Sequence, residues 1–362
     1  MELVDRVKYL RKKNNLTQSE FADLTGFSHS YIQKFEEGKR PLKTNHLIRF
    51  SKVLRVNPFD IIKTENTNWD DSGSLPFEVT NIEYREKSGR LNMEDLEKDI
   101  MDSISEDFYR LIELENILGE KVKFINPIED IKVSNGKDVE TAVKLLRKKW
   151  KLGQSPIYDC IYLLEKKGIR VFEVEKHYDF VGFSGWAGEV PLIVLNVTNS
   201  DISRRRFTAL HELAHLVLAF EIDDYDRIEK FCNHFAGAML LTEEVIREYF
   251  SDVEKGISLQ ELKTIKTAVG ISIQAILLRA KTLDYINWST YHRWRQEYAR
   301  WVESEDLGRY NSAEKPRRFF HLLSKAINDD DEPMSLVKAS ELSGLTVTQI
   351  ETQFGNKNFS IN

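Results

Sequence analysis

The chain has 362 residues, 41% of them hydrophobic, which gives room for two or three domains with cores of their own and makes a single domain the poorer expectation. Its net charge of −6 hides an asymmetry, because residues 1–63 hold thirteen Lys and Arg against seven Asp and Glu, while the remainder holds thirty-nine against fifty-one. A polyanion is attracted to the first part and repelled by the second, so any nucleic-acid contact belongs near the N-terminus.

From the N-terminus, residues 2–63 read as several short helices separated by Gly, Pro and Asn. Thr17 stands three residues before Glu20, the spacing of a capping box in which each side chain takes the other's orphan backbone N–H. A helix therefore starts there and runs through Phe21, Ala22 and Leu24 to a turn at Gly26. Ser28 caps a second helix, with Ile32 and Phe35 on its inward face and Gly38 at its end. Two short helices joined by a glycine turn are the layout of a helix-turn-helix, whose second helix offers polar residues to base edges in the major groove. Ser28, His29, Ser30, Gln33 and Lys34 are polar where that geometry needs them. A small helical protein-binding module with a basic face is the competing reading.

The stretch TENTNWDDSGSLP, residues 64–76, is polar and turn-rich and marks a linker. Met93, Leu96, Ile100, Ile104, Phe108 and Leu111 then repeat at helical spacing, with Gly119 as a stop, which predicts a connecting helix. From residue 138 the pattern is helix, helix, strand-like GIRVFEVE and PLIVLNVT, and then the helix that contains HELAH, an α+β order. After residue 255 the chain reads as mainly helical, with Trp288, Tyr291, Trp294 and Tyr298 at packing distances. SLVKASELSGLTVTQIE is built like half of another helix-turn-helix, but the adjacent acidic INDDDEP argues against DNA contact and for a packing or partner-binding element. The expected organisation is residues 1–64, an all-α helix-turn-helix domain; 65–137, a linker and connecting helix; 138–255, an α+β domain; and 256–362, a helical C-terminal region.

Cys160 and Cys232 are the only cysteines and have no CxxC spacing, which excludes a disulfide framework and a cysteine-based zinc knuckle and implies a reduced, cytoplasmic protein. The N-terminus is too charged for a signal peptide, and the longest apolar run, within 207–220, is broken by His, Glu and His, so no membrane is expected among the partners.

That run, FTALHELAHLVLAF, places His211, Glu212 and His215 as the strongly polar residues after Thr208 on an otherwise apolar helix. Burying such groups without partners is costly, so they need a function. Histidines four residues apart lie one above the other on one helical face, where both imidazoles reach one ion, with Glu212 beside them. Zinc fits such a pair, and a catalytic zinc takes one more protein ligand and keeps an open position for water. Glu229, at the start of the helical stretch IEKFCNHFAGAMLLTEE, is a candidate for that ligand. Cys232 at its spacing is expected to pack as a small apolar residue, His234 to be surface or hydrogen-bonded, and the run Arg204 to Arg206 to form a solvated face. The strand at Leu192 to Val197, just before the metal helix, is a candidate to pair with an extended substrate.

Two resemblances sharpen this reading. LTQSEFADLTGFSHSYIQKFEEGKRPLKTNHLIRFSKVLRV resembles the phage-repressor Cro/CI (XRE-type) helix-turn-helix family in its TQ, G, YIxxxE and GKR positions. The resemblance implies base contacts from Gln18, His29, Ser30 and Lys34, with Lys39 and Arg40 available to phosphates. RRRFTALHELAHLVL followed by ExxCNxFAxxML resembles the ImmA/IrrE family of metallopeptidases over roughly residues 138–250. That family implies a zincin-like fold and a third zinc ligand at the Glu three residues before an Ala-Asn pair, here Glu229 before Cys232 and Asn233. Cys for Ala is a small-for-small departure.

Together these expectations describe a regulator that binds an operator in double-stranded DNA, as a homodimer, and carries a zinc endopeptidase of the HExxH type. Glu212 is its general base, and its protein substrate is a repressor or antitoxin whose cleavage relieves repression. The rival is a transcription factor whose peptidase-like domain senses a ligand or metal without proteolysis. A structural interaction protein is a third reading.

Overall fold

A computed structural model of the chain describes residues 3–14, 16–40, 44–54, 56, 61, 79–80, 93–176, 180–198, 200–250, 257–304 and 307–354. They divide between two compact units, one formed by residues 1–78, 102–121 and 318–362 and the other by 79–101 and 122–317. The expected linker at 64–76 lies outside the described residues.

The first unit opens with helices α1 (Leu3–Lys13), α2 (Gln18–Thr25), α3 (His29–Glu36) and α4 (Thr44–Leu54). Thr17 and Glu20 form the capping box that starts α2, and Gly26 ends it in the left-handed conformation, φ +71°, which a glycine adopts without the penalty a Cβ brings. Ser28 caps α3 by accepting from the Tyr31 N–H. Val7, Leu10, Phe21, Ile32, Phe35, Phe50 and Leu54 make the core of this part. At its edge Arg11 forms a buried ion pair with Glu36.

The second unit is built on a four-stranded sheet. β1 (Val79–Thr80) precedes the long helix α5 (Met93–Leu118), which begins in this unit and from residue 102 belongs to the first, and Gly119 follows it. Then come β2 (Lys132–Val133), α6 (Gly136–Lys149), α7 (Cys160–Lys166), β3 (Arg170–Val174), β4 (Gly182–Ala187) and β5 (Val190–Asn196). The spatial order is β1-β4-β5-β3, with β5 parallel to β3 and antiparallel to β4. This overturns the expectation that Leu192 to Val197 pairs with a substrate, because β5 is an interior strand with both edges already bonded. β4 itself is absent from the sequence reading, since GFSGWA has two glycines and a serine where β-branched residues would mark a strand.

The metal-motif helix α8 (Ile202–Val217) lies on this sheet, with Ala209, Leu210, Leu213, Ala214 and Val217 in the core. β6 (Ala219–Phe220) pairs with β2, and α9 (Tyr225–Leu240) and α10 (Glu243–Phe250) follow. Arg206 corrects the reading of residues 204–206 as a solvated face. Arg204 is exposed, but two residues later, about 200° round the helix, Arg206 points inward and is 0% exposed.

The helical C-terminal region is shared between the units. α11 (Leu259–Val269), α12 (Ile273–Thr282) and α13 (Trp288–Ser304) belong to the second. α14 (Arg318–Ile327), α15 (Leu336–Ser343) and α16 (Val347–Phe354) belong to the first, where α15 lies against α4. α15, Gly344 and α16 repeat the cap and turn of α2 and α3, with Ile350 buried where Ile32 is.

Candidate metal centre and DNA-reading helix

Helix α8 begins at an Asp201 cap, and its heptad of apolar residues commits one face to the sheet. His211 and His215, four residues apart, then meet edge to face, with their ring centres 5.0 Å apart and their Nε2 atoms 3.2 Å apart. Glu229, in the second turn of α9, reaches across to them. Its Oε2 is 3.4 Å from His211 Nε2 and its Oε1 is 3.1 Å from His215 Nε2. Oε1 is buried and makes no well-formed hydrogen bond, so short distances exist without satisfied geometry. Burial pushes the Glu229 carboxyl up, but the two imidazoles facing it more than reverse this and leave it at about 2.

The far sides of both rings are held by α9. His211 Nδ1 is 3.2 Å from Asn233 Oδ1, an atom that can only accept, so Nδ1 donates and Nε2 is the nitrogen turned toward Glu229. His215 Nδ1 is 3.5 Å from the Sγ of Cys232. Cys232 is wholly buried, as a small packing residue should be, and it also orients a ring. Among the described residues, His211, His215 and Glu229 are the group of His, Cys, Asp and Glu side chains arranged to hold an ion.

Glu212 points to the other side, toward β4, where its Oε2 accepts from the Ser184 hydroxyl at 3.0 Å. Full burial raises its carboxyl above the ordinary value, against the opposing pull of the two histidines and Ser184. Gly182 on the same strand makes this approach fit, because a Cβ there would lie 2.8 Å from Thr208 Cγ2 and 3.4 Å from Glu212 Oε1. Ser184 and Gly182 escaped the sequence reading along with their strand. Asn233 belongs to the motif, but nothing in the sequence gives it a role. His234 is hydrogen-bonded to Glu140 at 2.5 Å, beside Arg279, and takes no part in the cluster.

The residues expected to meet DNA stand in different surroundings. His29, Ser30, Gln33 and Lys34 are exposed along α3, while Ile32 and Phe35 are buried. Ser28 spends its hydroxyl on the helix cap, and Gln33 donates to Glu37 at 3.2 Å. Gln18 donates its amide to Glu36 at 2.7 Å, within the Arg11 ion pair, which leaves its carbonyl for a base. Lys39 pairs with Glu37 at 2.8 Å on the surface, next to exposed Arg40. No described helix is long and apolar enough to cross a membrane.

Comparison with protein families agrees with both parts. Residues 7–61 match the helix-turn-helix family model, and residues 164–281 match the model of the IrrE N-terminal-like domain. Comparison with curated proteins finds no match to the chain.

Proposed function

We propose that this chain, which joins a helix-turn-helix domain to an IrrE-like peptidase domain, is a transcriptional regulator that binds operator DNA and relieves repression by zinc-dependent cleavage of a partner protein, a repressor or antitoxin. The observation that carries the reading is the convergence of His211, His215 and Glu229 on one point, with Glu212 beside them. Zinc suits these donors. With bonds of about 2.0–2.2 Å, neighbouring ligand atoms of a tetrahedral site stand roughly 3.3 Å apart. The three pairs here are 3.2, 3.4 and 3.1 Å apart. Imidazole nitrogens and a buried carboxylate oxygen brought this close, without a well-formed hydrogen bond at Glu229 Oε1, call for a cation between them.

Three protein ligands leave a fourth position for water, the pattern of a catalytic site. When bound, zinc would lower the pKa of that water to about 7 and polarise a peptide carbonyl. Glu212 supplies the proton traffic. Ser184 holds its Oε2, and the carboxylate would take a proton from the attacking water and hand it to the leaving amine. Its raised carboxyl moves toward the working range of a general acid and base. A closed structural site has no use for such a group.

For the DNA part, the exposed polar face of α3 and the basic charge of residues 1–63 support reading of an operator in the cytoplasm, by a homodimer when two half-sites are present. The deciding experiment incubates the zinc-loaded protein with the product of its neighbouring gene and looks for a fragment that the Glu212→Gln protein does not produce. Zinc-dependent induction without any such fragment would replace the peptidase by a sensor.

A further inference from the structure

Five residues before His211 on α8, Arg206 is wholly buried, an expensive place for a cation. Its guanidinium donates to the backbone carbonyls of Ile157 (2.6 Å), Tyr158 (3.0 Å), Val269 (3.1 Å) and Gly270 (3.0 Å), and lies 4.4 Å from the centre of the Tyr310 ring. It meets one carboxylate, that of Glu314. Glu314 is equally buried and accepts from the backbone N–H groups of Cys160 at 3.0 Å and Ile161 at 3.2 Å. It sits at φ +33°, in the left-handed region that a glutamate rarely adopts, so its placement is held against a backbone cost.

Residues 307–317 thus form a strap between α13 and α14 that inserts one strained carboxylate against the cation of the metal helix. Further contacts pin both of its ends. The Tyr310 hydroxyl donates to Tyr158 O at 3.0 Å, the Arg317 N–H donates to Glu165 at 3.1 Å, and the Arg317 guanidinium pairs with Asp159. The whole strap lies outside the 164–281 family match. The opposite flank of the motif is anchored elsewhere, His211 on Asn233, His215 on Cys232 and Glu212 on Ser184. His211 and Glu212 therefore lie between two sets of anchors, and Arg206 is the one on the N-terminal side.

We infer that Arg206 and Glu314 are the positioning pair of the metal centre, so that residues 307–317 belong to that centre although they follow its motif by about a hundred residues. The inference rests on the metal reading given above. With the Glu314 charge removed, Arg206 is left buried among carbonyls alone, and the first half of α8 must shift or open to hydrate it. His211 and Glu212 then lose their register with Glu229 and Ser184.

The test uses the full chain and two readouts on folded protein: the affinity for cobalt(II) or zinc by chelator competition, with the cobalt absorption bands as a signature of the site, and hydrogen exchange of the α8 amides without metal. Glu314→Gln should weaken metal binding by about tenfold or more, the scale seen when the supports of metal ligands are lost. It should also dim the cobalt bands and speed exchange across residues 205–213. Glu314→Asp, which keeps the charge, should recover part of each, and it serves should the Gln variant not fold. Phe250→Leu, a core change on α10, gives the comparison at matched loss of melting temperature and should leave affinity within about twofold. Wild-type affinity and unchanged α8 exchange in the Glu314 variants, or losses no larger than those of Phe250→Leu, would overturn the positioning pair alone. A wild-type chain that takes up no metal would overturn the metal reading and this inference together.

Discussion

Helices α3 and α8 each carry a recognisable motif, and each holds it in opposite surroundings. On α3 the working side chains are exposed, and local features place them, the Ser28 cap at one end and the inward Ile32 and Phe35 between. On α8 the working groups are buried, and other elements hold every one of them: Asn233 and Cys232 the histidines, Ser184 the glutamate, and Glu229 the open side. A solvated helix can exchange its outward residues with little cost to the fold. A buried cluster cannot, because removing one member leaves its partners desolvated and unpaired. Substitutions on α3 should therefore change function alone, whereas those on α8 should change function together with metal content or stability.

The largest expected effect is on metal. The purified chain should carry about one zinc, from three ligands and one open position. His211→Ala or His215→Ala should bring this close to none by elemental analysis, while operator affinity of the N-terminal part stays within about twofold. A double variant that keeps its full zinc would break the assignment of the site. Glu212→Gln comes next. It preserves size and the bond from Ser184 but removes the base, so zinc content and DNA binding should survive while partner cleavage falls by about 10²-fold or more. Glu229→Gln should instead lower metal affinity itself, since a neutral amide is a poorer ligand. If Glu212→Gln left cleavage and in-cell induction intact, the peptidase mechanism would be wrong.

The same contrast explains what could be read from the sequence. The features of α2 and α3 are local, and the capping box at Thr17 and Glu20, the turn at Gly26 and the cap at Ser28 all stand where residue spacing put them. The HELAH spacing likewise brings two imidazoles to one face. The supports of that site were not readable, because they come from tertiary packing. β4 has no strand-like alternation, and its Gly182 exists to let Thr208 and Glu212 come close. The three arginines 204–206 are identical as letters, and only the rotation of α8 against its neighbours decides that Arg206 is the one turned inward. Its partner Glu314 is 108 residues away in sequence, beyond the reach of any spacing rule.

A smaller effect sharpens the comparison through pH. Glu140 on α6 is half of a mostly buried ion pair with Arg279, joined by His234. Burial raises its carboxyl, but Arg279 and then His234 outweigh that and hold it at about 2, below an ordinary value of 4.5. A depressed carboxyl contributes stability that is fully present above pH 4.5 and is lost as the pH falls toward 2. The contribution is on the order of 2–3 kcal/mol at neutral pH. Glu140→Gln should reduce neutral stability of the second unit by about that amount and flatten its acid transition, followed by urea unfolding across pH 2 to 6. An unchanged acid profile would remove Glu140 from the account of that unit.

The smallest effects belong to the exposed helix, and they distinguish two kinds of DNA contact. Lys34 lies on the outward face of α3 where base edges would be met, so Lys34→Ala should relax preference at one operator position by roughly 1–3 kcal/mol. Lys39 follows the helix and is paired with Glu37 on the surface, so it must trade that partner for a phosphate. The exchange of one exposed ion pair for another is worth little. Lys39→Ala should weaken binding to operator and unrelated DNA alike and lower the salt slope by about one, with melting temperature unchanged. Glu37→Gln should do the reverse, freeing Lys39 and raising affinity for all sequences at low salt. Binding titrations on operator and random duplexes at several salt concentrations measure all three. A sequence-dependent loss on Lys39→Ala would move that residue from the phosphates to the bases and shift the register of α3 in the groove.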